Sequence, residues 1–139
     1  MPRYLKSIIL MFAFVSIYAQ AEKLEIIVSK ISEPQGTLFV TIYNNPDSWL
    51  GEEAYRDLRF PVSSQEDNKI VIEDLPAGTY AVSVFHDLNG NMDIDTNFIG
   101  IPKEPYGFSG KVGKFGPPKY DKASFVLENG TKPLQIELH

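Results

Sequence analysis

Apolar and polar residues alternate along most of this chain with a period of two, the spacing of a strand whose side chains point to opposite faces of a sheet. In Leu24–Ile31, Leu24, Ile26 and Val28 share one face, although Ile27 and Ile31 blur the contrast. In Thr37–Tyr43, Leu38, Val40 and Ile42 oppose Thr37, Phe39, Thr41 and Tyr43. Pro34-Gln35-Gly36 supplies a turn between these two segments, which are therefore expected to pair as a hairpin. Asn68–Asp74 turns Ile70 and Ile72 inward, and Leu75-Pro76-Ala77-Gly78 reverses the chain, with Pro76 presetting one dihedral. Thr79–His86 alternates cleanly: Tyr80, Val82, Val84 and His86 against Ala81, Ser83 and Phe85. Its β-branched and aromatic content suits a central strand. Ala123–Leu127 resumes the pattern. Asn129-Gly130 signals a hairpin turn, and Leu134, Ile136 and Leu138 form the inward face of a last strand.

Two stretches break the alternation. Asn44–Pro61 reads as a loop with a short helix capped by Asp47 or Ser48 and weakened by Gly51. It holds the only tryptophan, Trp49, which with Leu50 either covers one end of the core or stacks on a ligand. Residues 98–122 are rich in proline and glycine, and a structureless loop of that length is either functional or conceals a strand. Its apolar residues Phe98, Ile101, Tyr106 and Phe108 are expected to fold over the core as a flap, or to form a recognition surface. The pattern as a whole predicts an all-β fold, an antiparallel immunoglobulin-like β-sandwich of about seven strands with one long Pro/Gly-rich loop.

The first residues alter the domain boundaries. Arg3 and Lys6 precede a short apolar run, Ile8–Tyr18, followed by the small residues of Ala19-Gln20-Ala21. This is the layout of a secretory signal peptide with cleavage after Ala21, or alternatively Ala19, and the run is shorter than the roughly 20 residues of a membrane span. Residues 1–21 are thus a leader and 22–139 one domain, secreted or periplasmic, with no membrane span in the mature chain. Loss of Arg3 and Lys6 moves the net charge from −5 to −7. An acidic surface repels phosphate backbones, so nucleic acid is not an expected partner. The absence of cysteine rules out disulfides and thiolate metal sites.

The chemistry concentrates after the Thr79–His86 strand. Asp87, Asn89, Asn91, Asp93 and Asp95 place five oxygen-bearing side chains at alternate positions. Calcium takes six to eight oxygen ligands, and the spacing matches the first half of the EF-hand loop. The second half departs from it: Met92 stands where that loop has glycine and Phe98 where it has the bidentate glutamate. The stretch reads either as a weak calcium site, with Kd on the order of 10⁻⁴–10⁻³ M, or as a polar turn bonded to its own backbone. His86, Phe98, Glu104, Tyr106 and Phe108 flank it as candidate ligand-binding residues. His86 is otherwise a core histidine bonded to backbone. No nucleophile elbow or phosphate-cradling glycine loop is present, so the chain is not expected to be an enzyme.

Three stretches carry a resemblance: Leu75-Pro-Ala-Gly-Thr-Tyr-Ala-Val-Ser-Val-Phe-His-Asp-Leu-Asn-Gly-Asn91; Asp95-Thr-Asn-Phe-Ile-Gly-Ile-Pro-Lys-Glu-Pro-Tyr-Gly-Phe-Ser109; and Gly116-Pro-Pro-Lys-Tyr-Asp-Lys-Ala-Ser-Phe125. They resemble a bacterial family of secreted proteins known as domain of unknown function 2141. The resemblance implies a small exported β-domain. Leu75–Tyr80 is also similar to the turn and strand of transthyretin-like and collagen-adhesin B-type sandwiches. The function expected from all this is an exported, non-catalytic binding module of unknown ligand and unknown envelope or extracellular partner. The alternatives are a purely structural cell-envelope domain and a hydrolase centred on His86 and Glu104.

Overall fold

A computed structural model describes residues 20–66, 68–113 and 115–139. The leader expected over 1–21 therefore lies, except for its last two residues, outside the described residues. The described chain forms β1 (Ala21–Ser29), β2 (Thr37–Tyr43), β3 (Arg56–Pro61), β4 (Asn68–Pro76), β5 (Gly78–Asp87), β6 (Tyr106–Phe108), β7 (Phe125–Leu127) and β8 (Thr131–Glu137). A one-turn helix, α1 (Tyr120–Ala123), precedes β7. One sheet has the order β4-β1-β8 and the other β3-β2-β5-β6, with β7 pairing the start of β5. Every strand pair is antiparallel except β1 with β8.

The two inner faces close into a sandwich-like arrangement around one core. Leu24, Ile26 and Val28 of β1, Ile70, Ile72 and Leu75 of β4 and Ile136 of β8 join Leu38, Val40 and Ile42 of β2 and Tyr80, Val82 and Val84 of β5. Each fully buried aliphatic side chain contributes roughly 1.5–3 kcal/mol relative to exposure. The inward phases read from the sequence are thus the buried ones, and Thr79–His86 is an interior strand, flanked by β2 on one side and by β6 and β7 on the other.

Pairing departs from expectation in two places. β1 and β2 do not form a hairpin: β1 lies between β4 and β8, whereas β2 lies between β3 and β5. Both strands have one strongly apolar face, and placing them in opposite sheets buries both faces in the same layer. Asn129-Gly130 likewise does not join a hairpin. Both residues take the positive φ that the dipeptide favours, 62° and 107°, but β7 pairs with β5 and β8 pairs with β1, so this turn carries the chain between sheets.

Two elements also differ. The loop expected across Asn44–Pro61 contains a 3-10 turn at Pro46–Ser48, capped by Asn45, and then the edge strand β3. There Leu58 and Phe60 pack on the core while Asp57 and Arg59 face solvent. Residues 98–122 contain β6 and α1, and Ala123 belongs to the helix.

The sheets are stitched at one corner. Tyr106 and His139 exchange backbone hydrogen bonds, N to O, at 3.3 and 2.9 Å. Beside them, Gly107 lies so close to β8 that a Cβ would sit 2.5 Å from the Glu137 carbonyl oxygen and 2.7 Å from Ile136 Cγ2. Backbone cannot yield as a flexible side chain can. Gly107→Ala is therefore expected to cost about 1–3 kcal/mol through overpacking, read as a lower midpoint in urea unfolding; an unchanged midpoint would show that the corner tolerates a methyl group.

Candidate functional site

β5 delivers the chain to the edge of the core at Asp87, which is only 2% exposed. Its carboxylate folds the following loop around itself: Oδ1 accepts from the Gly90 amide at 2.8 Å and Oδ2 from the Met92 amide at 3.0 Å. Asn89 Oδ1 accepts from Asn91 N at 3.0 Å, and Asn91 Oδ1 from Asp93 N at 3.1 Å. Each short polar side chain bonds the backbone two residues on, as asparagine and aspartate do in turns. The Asn89 side-chain amide donates to the Asp95 carboxylate, and that of Asn91 donates to it at 3.0 Å. Asp93 accepts from the neighbouring Ile94 amide. Gly90 and Met92 both take positive φ, 76° and 64°. Met92 thus occupies a glycine-favouring conformation, which costs a side-chain-bearing residue roughly 1–2 kcal/mol.

Glu104 closes the assembly from below. It is buried, and its two oxygens accept from the Leu88 amide at 3.0 Å and the Asp95 amide at 3.2 Å. One carboxylate therefore holds both ends of the loop. The five oxygen-bearing residues are brought onto one loop. Asn89 and Asn91 meet at Asp95, while Asp87 and Asp93 bond to backbone. Among the described residues, no three or more His, Cys, Asp or Glu side chains are grouped so as to hold a metal ion.

The segment after this loop is a protruding tip rather than a flap. Asn97 Oδ1 accepts from both the Ile99 and Ile101 amides, at 3.0 and 2.9 Å. Gly100 N donates to Asn97 O, and Asn97 N donates to Ile101 O. On this braced turn Phe98 is 99% exposed, Ile99 65% and Ile101 52%. The expectation that Phe98 and Ile101 fold over the core is therefore wrong: the Asn97 bonds lock the backbone in a turn that directs them into solvent. Tyr106 and Phe108 lie apart from them on β6, half-buried and edge-to-face with one another.

His86 lies on the core face, fully buried. Its Nε2 donates to the Gln35 carbonyl at 2.6 Å, since a carbonyl can only accept, and Nδ1 has no hydrogen-bond partner among the described residues. Trp49 packs edge-to-face on Tyr43, Phe108 and Tyr120 and donates to the Pro118 carbonyl. Burial of Tyr43 beneath it raises the Tyr43 pKa; the Ser83 hydrogen bond lowers it in part and Asp57 raises it further.

Sequence reasoning passed over Asn97, although Asn-Phe-Ile-Gly is a recognisable side-chain-capped turn. It also passed over a row on the outer face of the five-stranded sheet, where Phe39 stacks on Phe85 at 4.7 Å and the Arg59 guanidinium lies 4.9 Å from the Phe39 ring centre. Arg59 also reaches the Met92 sulfur at 3.6 Å, tying the loop to this face. Aromatic residues on the outward phase of β2 and β5 were the available signal.

Glu104→Ala is expected to cost about 1–3 kcal/mol by leaving two amides without acceptors, with faster hydrogen exchange at Leu88 and Asp95. Glu104→Gln keeps one acceptor oxygen and should lose less. Equal exchange in all three proteins would show that the carboxylate is not what holds the loop.

No curated protein and no solved structure matches this chain. No described helix is long and apolar enough to cross a membrane. The sequence model of a family described as "Uncharacterized protein conserved in bacteria (DUF2141)" matches residues 26–135, a stretch that takes in most of both sheets, the Asp87–Asp95 loop, Glu104 and the tip, and the chain belongs to that family.

Proposed function

We propose that this protein is an exported, non-catalytic binding module of immunoglobulin-like or transthyretin-like architecture that meets its ligand with the loops between Asp87 and Glu104. One observation carries this reading: Phe98 stands almost entirely in solvent on a turn whose backbone is held by Asn97. An exposed apolar side chain on a rigid support gains free energy only when something covers it, and ordered apolar surface of this kind marks interaction sites. The non-catalytic part is supported by the placement of His86, buried and bonded to a carbonyl, with no hydrogen bond between it and Glu104. The Leu75–Tyr80 turn and strand supports the architectural assignment, and the apolar run ahead of Ala19-Gln20-Ala21 supports export.

In this reading the polar loop takes up calcium weakly, through Asp87, Asn89, Asn91, Asp93 and Asp95, and calcium stiffens the base of the tip. Support comes from the alternate spacing of the five oxygen-bearing side chains. A competing reading, a structural envelope domain, draws on the same loop: the Asp87 and Glu104 carboxylates are fully engaged in bracing it.

Phe98→Ser combined with Ile99→Ser separates the two. Both side chains are exposed, so the melting temperature should not fall. A partner retained from an envelope extract by the immobilised wild-type protein should be lost by the variant. If nothing is retained, or everything is retained equally, the structural reading replaces this one.

Calcium is tested by isothermal titration together with thermal melting. The wild type should bind with Kd on the order of 10⁻⁴–10⁻³ M and melt higher with calcium, and Asp87→Ala with Asp95→Ala should abolish both effects. No heat and no rise in the wild type removes calcium from the proposal.

A further inference from the structure

Residues 22–139 contain a single sulfur atom. Cysteine is absent, and of the three methionines Met1 and Met11 precede that span, which leaves Met92. Its surroundings suit it to react. Met92 is 63% exposed, so an oxidant reaches its thioether without any opening of the fold. Its backbone is fixed, with the amide donating to Asp87 Oδ2 at 3.0 Å and φ at 64°. Its sulfur is placed as well, 3.6 Å from Arg59 Nη1.

Arg59 is itself held against the sheet. Its guanidinium lies 4.9 Å from the Phe39 ring centre, and among the described residues it forms no ion pair. A guanidinium carries five N–H donors, whereas a thioether is only a weak acceptor. The contact between loop and sheet is therefore strong on the donor side and weak on the sulfur side.

We propose that Met92 is an oxidation site, and that its sulfoxide accepts from Arg59 and fastens the Asp87–Asp95 loop to the outer face of the five-stranded sheet. The oxidant is a peroxide. A sulfur lone pair attacks one peroxide oxygen, and the S–O bond forms as the O–O bond breaks. The other oxygen leaves as hydroxide and takes up the proton to become water. Sulfur loses two electrons and the peroxide gains them.

The sulfoxide is polar where the thioether was not. Its oxygen, one bond length out from the sulfur, comes within hydrogen-bond range of Nη1, about 2.7–3.2 Å, by a turn of the side chain alone. Hydrogen bonds to an ionised donor are roughly twice as strong as neutral ones. Methionine oxidation disrupts a structure when it puts a polar oxygen into an apolar core. At Met92 the oxygen stays in water beside a cation, so oxidation tightens the loop. Dedicated reductases return methionine sulfoxide to the thioether, so the contact can be reset. The inference goes beyond the binding reading and needs neither calcium nor a partner.

Hydrogen peroxide treatment of the mature chain, with EDTA present to remove calcium, tests this. Peptide mapping by mass should show one added oxygen on Met92. Amide exchange at Gly90 and Met92, read by NMR, should slow by about threefold to tenfold, the ratio expected for one additional hydrogen bond. Met92→Leu should show no slowing. Arg59→Ala should be oxidised as readily as the wild type, again without slowing. Met92→Gln, which places a carbonyl oxygen near the position of the sulfoxide oxygen, should exchange slowly with no oxidant. Both positions are exposed, and circular dichroism establishes that the variants remain folded.

A Met92 that takes up no oxygen under conditions that convert free methionine overturns the proposal. So does exchange that is unchanged or faster after oxidation, and so does slowing that persists in Arg59→Ala. None of these results bears on partner capture by Phe98, because neither Met92 nor Arg59 belongs to the tip.

Discussion

The fold depends on a layer of apolar side chains pressed between two sheets. With no cysteine in the chain, burial and the hydrogen bonds it shelters must offset the conformational entropy of ordering the chain. That requirement constrains the topology. β1 and β2 each present three aliphatic side chains on one face, all essentially inaccessible. Pairing them edge to edge would make one wide apolar face that still needed a cover. Putting them in opposite sheets lets each cover the other. The crossover after β1 follows from that division.

β5 connects this core to the loop that begins at Asp87. Its inward phase, Tyr80, Val82 and Val84, lies in the buried layer, and its end passes directly into Asp87. Two buried carboxylates take over there, Asp87 folding the loop and Glu104 holding its ends. Buried carboxylates are costly unless their oxygens accept hydrogen bonds; these accept four backbone amides between them. The loop is thereby rigid enough to support a turn carrying Phe98, Ile99 and Ile101 into solvent. Opposed characters lie side by side, with polar groups consumed within the loop and apolar groups displayed beyond it.

Much of the candidate site was legible before its geometry was known. The alternating Asp and Asn residues do form a side-chain-bonded loop, and His86 does lie on the core face with Val82 and Val84. The role of Glu104 was not legible. Nothing in a glutamate nine residues beyond Asp95 says that it returns to bond Leu88 and Asp95, because that contact depends on how the intervening tip folds back. The same holds for Phe98. Apolar residues in a loop are normally assigned to the core, and only the Asn97 bonds to Ile99 and Ile101 reveal that the backbone turns them outward.

What the sequence determined by itself was local: which residues alternate, which turns admit positive φ, which side chains share a face. β5 could be read from Thr79–His86 alone, and the positive φ of Asn129 and Gly130 from their identity. Tertiary structure decided which strand pairs with which, and on which side of the core each lies. A strand's alternation states that one face must be buried but is silent about what buries it, since any complementary apolar face satisfies it equally. That choice is made by competition among all the strands for a single shared layer. The same competition left Asn129-Gly130 joining two sheets, placed β3 at an edge with Asp57 and Arg59 outward, and brought Gly107 close enough to β8 to fasten one sheet to the other.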